Sequence, residues 1–60
     1  MRLDDVMSDL REGKPIYRET RPEIGYLQGS LERVYGSFYL TIYDVLAKDW
    51  TVGKPEEDDE

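Results

Sequence analysis

The chain has 60 residues, neither cysteine nor histidine, and a formal net charge of −6. A chain this short makes one domain with a thin core, and without cysteine neither a disulfide nor a thiolate-metal site can brace it. Without histidine, the usual neutral-pH general base and transition-metal ligand are missing too, so binding is expected rather than catalysis, with no metal and no cofactor.

The charge is uneven. Glu56 to Glu60 are five consecutive acids, whereas the first 53 residues carry nine acids and seven bases. Residues 1–53 are expected to form a single α+β domain and 54–60 a disordered acidic tail. The acidic balance argues against direct nucleic-acid binding and against anionic membranes, and no apolar run is long enough to span a bilayer. Small domains without staples gain stability by association, so a homo-oligomer is expected.

Leu3, Val6, Met7 and Leu10 fall at i, i+3, i+4 and i+7, which predicts a helix over residues 2–12. Asp4 and Asp5 suit its N-terminal end, Gly13 can adopt the left-handed C′ conformation, and Pro15 prevents continuation. Residues 15–20 alternate as a first strand, with Ile16 and Arg18 on one side and Tyr17 and Glu19 on the other. Residues 24–28 read as a second strand, Gly29-Ser30 as a two-residue hairpin turn, and 31–35 as a third strand. Gly36-Ser37 is a further turn candidate, and Phe38 to Leu40 a short fourth strand. Thr41 then resembles an N-cap, with Asp44 three residues on as in a capping box, and Ile42, Val45 and Leu46 give about two helical turns. Residues 49–52 read as a final strand. The expected fold is thus an N-terminal helix packed on a small antiparallel sheet of three to four strands, with a short second helix before the last strand.

Several side chains carry ligand-binding chemistry. Arg18 and Arg21 can each grip a phosphate through paired guanidinium hydrogen bonds; the alternative is surface charge, with Arg18 paired to Glu19 or to a neighbouring strand's acid. Trp50, the single tryptophan, can stack on a base or anchor the core. Asp44 and Asp49 can accept hydrogen bonds from ribose hydroxyls or an exocyclic amine, or serve as cap and turn residues. Of the five tyrosines, Tyr17, Tyr26 and Tyr43 are the preferred candidates to wall a base, against ordinary strand composition as the alternative.

Two blocks also carry a resemblance. Leu10-Arg11-Glu12-Gly13-Lys14-Pro15-Ile16-Tyr17-Arg18 resembles the opening, and Leu40-Thr41-Ile42-Tyr43-Asp44-Val45-Leu46-Ala47-Lys48-Asp49-Trp50 the closing block, of the phage-encoded Thoeris anti-defence sponge family, second type. Some relatives in that family are described as anti-CRISPR proteins. The resemblance implies a helix packed on an antiparallel sheet and an oligomer, typically a tetramer. It implies sequestration of a cyclic nucleotide second messenger, such as a cyclic ADP-ribose derivative or a cyclic oligonucleotide, in the host cytoplasm and without cleavage. Where the family usually has a tryptophan three residues after the arginine matching Arg18, this chain has Arg21, followed by Pro22. A second reading is an acidic inhibitor that binds a bacterial defence complex through its tail and tyrosine-rich surface.

Overall fold

The computed structural model describes residues 1–55. Most of the expected acidic tail lies outside them. Helix α1 spans Leu3–Arg11 and buries Leu3, Val6 and Leu10, the stripe that its spacing predicts. The Arg2 N–H donates to the Asp5 carboxylate at 3.1 Å, which satisfies one end. At the other end, Gly13 N–H donates to Leu10 C=O and Lys14 N–H to Asp9 C=O, both at 3.0 Å. That paired pattern is a Schellman stop, and it needs the positive φ of 91° that Gly13 adopts.

Strands β1 (Pro15–Arg18), β2 (Tyr26–Gln28), β3 (Val34–Tyr35) and β4 (Trp50–Val52) form one antiparallel sheet in the order β3-β2-β1-β4. A 3-10 turn over Pro22–Ile24 links β1 to β2, so the second strand begins at Tyr26 rather than residue 24. Helix α2 (Ile42–Leu46) precedes β4. One face of the sheet carries Ile16, Leu27 and Trp50 against α1, and Phe38 closes this core with its ring centroid 5.7 Å from Trp50. The α+β layout is the one expected from the sequence. Among the described residues no helix is long and apolar enough to cross a membrane.

Two local expectations are corrected, and α2 adds an observation of its own. The hairpin does not turn at Gly29-Ser30: Gln28 N–H donates to Arg33 C=O at 3.2 Å, so the loop holds four residues. The shift is two residues, so every side chain keeps its face, but Val34 rather than Glu32 now lies opposite Leu27 on the core side. Leu31 leaves the strand and packs on the core from the loop. Phe38 to Leu40 form no strand, because Phe38 inserts into the core as an anchor instead of joining the ladder. The apolar stripe of α2 is not buried: Ile42, Val45 and Leu46 are exposed, and the buried side chain of that helix is Asp44.

The observed register is fixed by a close backbone crossing. Gly25 and Gly36 meet directly, and a Cβ built on Gly25 would lie 1.9 Å from the Tyr35 carbonyl oxygen. Gly25 also has a φ of 102°. Gly25→Ala should therefore lower the unfolding free energy by about 3 kcal/mol or more, whereas Gly13→Ala, with open space around it, should cost only the left-handed backbone penalty of about 1–2 kcal/mol. Urea denaturation of the two variants checks the ranking.

Candidate functional site

The expected site residues divide into an internal group and a surface group. Arg18 leaves β1 on the core side, and its side chain is 13% exposed. Its Nε–H donates to Asp49 Oδ1 at 2.6 Å, and its Nη1 donates to Asp44 Oδ1. Both aspartates have further donors. Thr41 donates to Asp44 Oδ2 from its N–H and its hydroxyl, each at 2.9 Å, while the Asp44 N–H donates back to the Thr41 hydroxyl. That is the capping box of α2. Thr20 donates to Asp49 Oδ2 from its N–H at 3.1 Å and from its hydroxyl. The Trp50 indole N–H donates to the Asp44 carbonyl at 2.8 Å.

This arrangement ties the end of β1, the start of α2 and the start of β4 into one knot. It gives four of the expected site residues partners inside the fold. Trp50 is enclosed, so no ring face is open for a base. Asp44, at 2% exposure, caps a helix and holds a guanidinium. Asp49 and Arg18 complete the same knot. The partners of Arg18 are Asp44 of α2 and Asp49, the residue just before the paired strand β4, and not Glu19.

Burial pushes the Asp44 carboxyl up, but Thr41 and Arg18 outweigh it and hold the group below its ordinary value of 3.8. For Asp49, burial again pushes up, while Thr20 and Arg18 pull the carboxyl down to about 2. Both carboxylates are thus held ionised. Neither has the raised pKa of a neutral-pH general acid or base.

Arg21 is exposed, precedes the 3-10 turn and makes no ion pair among the described residues. Because Arg18 turns inward, the chain does not bring the two guanidinium groups together on one phosphate. Tyr43 stands exposed on α2, on the helix side of the sheet.

Tyr17 and Tyr26 share the other sheet face, which neither helix covers. Tyr26 lies opposite Tyr35, and their rings stack with centroids 4.9 Å apart and planes 12° from parallel. Lys54 Nζ sits 5.5 Å from the Tyr26 centroid, a cation–π distance. Tyr26 and Tyr35 thus form a two-ring column that ends at the β3 edge, with Lys54 beside Tyr26. Arg33 is exposed two residues before Tyr35 and so on the same face. Tyr35, Arg33 and Lys54 were not singled out from the sequence. The correct hairpin register would have found Tyr35, since only that register sets it beside Tyr26.

Among the described residues there is no cluster of three or more acids that could hold a metal ion. Compared with protein-family models, curated proteins and solved structures, the chain matches none of them.

Arg18→Ala would leave two inward carboxylates without their counter-charge and should cost about 3–5 kcal/mol of stability. A residue used only for ligand would leave the urea midpoint unchanged. For Asp49 the folded pKa is the lower one, so its contribution is complete above the unfolded value of 3.8 and is lost as pH falls through about 2. Stability of the wild type should therefore drop on acidification across this window. Asp49→Asn should flatten that dependence by on the order of 2 kcal/mol between pH 5 and 2. Urea titrations at several pH values give both results.

Proposed function

We propose that this chain is a binding protein that sequesters a cyclic nucleotide signal, a cyclic ADP-ribose derivative or a cyclic oligonucleotide, without cleaving it. In that reading it is a phage counter-defence sponge working as a homo-oligomer in the host cytoplasm. The observation that carries the reading is the aromatic column on the open sheet face. A base stacked on the outer face of Tyr35 would extend the Tyr26–Tyr35 stack by one ring. Arg33 lies about 7 Å further along the same strand face, at ~3.4 Å per residue, and its guanidinium is suited to a phosphate attached to that base. The sequence blocks that resemble the sponge family support the same class of ligand. The ionised, fully engaged carboxylates Asp44 and Asp49 favour holding over hydrolysis.

The binding surface is thus moved from the residues first expected. Tyr17 and Tyr26 stay in it. Arg18, Asp44, Asp49 and Trp50 build the platform from behind, while Arg21 and Tyr43 lie off the column.

Calorimetry with a panel of cyclic ADP-ribose isomers and cyclic di- and trinucleotides tests the proposal. At least one ligand should release heat and be recovered intact afterwards. Tyr35→Ser should weaken that ligand by about 1–3 kcal/mol, the contribution of one stacked base, while the loss of its stack on Tyr26 should lower the unfolding free energy by only about 0.5–1.5 kcal/mol, leaving the domain folded. Absence of binding across the panel would overturn the reading.

A further inference from the structure

A second surface lies on the helix side of the molecule. Tyr39, Ile42, Tyr43 and Leu46 are each between 63% and 81% exposed, and Val45 is exposed beside them. All five fall in one short stretch around α2. Next to them a groove of about 370 Å³ runs between α1 and α2, floored by Leu3, Met7 and Leu31. Burying the five side chains would remove on the order of 700 Å² from water, at about 150–250 Å² for each aromatic. That exceeds the ~300–600 Å² of the largest apolar patch on a typical monomer.

We propose that this face of α2, with the adjoining groove, is the contact surface for a second copy of the chain, packed about a two-fold axis. The area per copy is close to the ~800 Å² that each partner contributes to a standard stable interface. The charge pattern favours a like partner. Asp44 is the sole charged side chain within α2, and it is turned inward and paired with Arg18. The charges that border it are Arg2 and Asp4 at the groove, one of each sign and 3.8 Å apart, so the surface carries no net charge for a partner of one sign to match, while about a two-fold axis its apolar side chains meet their own symmetry mates. Two copies that each carry a net charge of −6 repel one another elsewhere. A surface whose lining acid, Asp4, is paired with Arg2 is where they approach at least cost.

The geometry has a further outcome. The tyrosine column is on the opposite side of the sheet from α1 and α2, so a dimer joined through α2 presents two open ligand faces back to back. Each face would be complete within one chain. This inference rests on the exposure and chemistry of α2, not on the ligand reading.

Sedimentation equilibrium of the full chain from micromolar to submillimolar concentration tests it. The wild type should reach twice the 7.1 kDa chain mass. Its melting temperature should rise with concentration, since dimerisation is linked to folding. Leu46→Lys and Ile42→Glu change exposed positions, so each should keep the wild-type circular dichroism while weakening association by about tenfold or more. Tyr35→Ser, on the opposite face, should associate like the wild type. A wild type that stays monomeric throughout would overturn the proposal, as would α2 variants that associate undiminished or dissociation by Tyr35→Ser instead. Calorimetry on the Leu46→Lys monomer separates this from the ligand proposal, because ligand binding there can persist when association is lost.

Discussion

The Arg18 guanidinium between Asp44 and Asp49 is the contact on which the rest of the architecture depends. Among the described residues the core holds seven buried apolar side chains, few for a fold with four strands and two helices. Packing alone would position α2 and β4 loosely, since α2 has only five residues and turns its apolar side chains outward. The charged knot supplies the missing definition. It fixes where β1 ends, where α2 begins and how β4 enters the sheet, and the indole of Trp50 is fastened to the same place through the Asp44 carbonyl. Such a network is stabilising only when each member is satisfied, and the hydroxyls and N–H groups of Thr20 and Thr41 meet that condition.

What was legible in the sequence was what is local. The α1 stripe, its stop at Gly13 and the Thr41–Asp44 cap are each written within a few residues, and the structure has all three. The hairpin register was not legible, because a slip of two residues preserves the alternation that a sequence displays. It was decided by packing: Val34 beside Leu27, Tyr35 beside Tyr26, and two glycines where the backbones touch. The fate of Phe38 was hidden for a related reason. Its value to the fold comes from contact with Trp50, and a short apolar run looks the same whether it pairs or plugs.

The candidate site shows the same division. Arg18, Asp44 and Asp49 were visible as charged groups with chemistry to offer, but the partners of the arginine lie 26 and 31 residues away in sequence. Nothing near Arg18 in the chain announces them. Once they are known, the arginine changes from a ligand contact to an internal tie, and the tyrosines on the uncovered side of the sheet become the accessible chemistry. One strand thus has two occupations: Ile16 and Arg18 hold the interior while Tyr17, between them, faces out.

The two margins of the sheet also limit how this protein can misassemble. At one margin β3 is only two residues long. At the other, Trp50 exchanges hydrogen bonds with Met1, receiving one on its carbonyl and giving one from its N–H. By alternation that leaves β4 a single outward-facing backbone pair, at Val52. Neither margin offers the long, flat row of unpaired donors and acceptors that templates strand addition. A tyrosine-rich sheet with an open face would otherwise be a candidate for fibre growth, and its short, occupied edges work against that route.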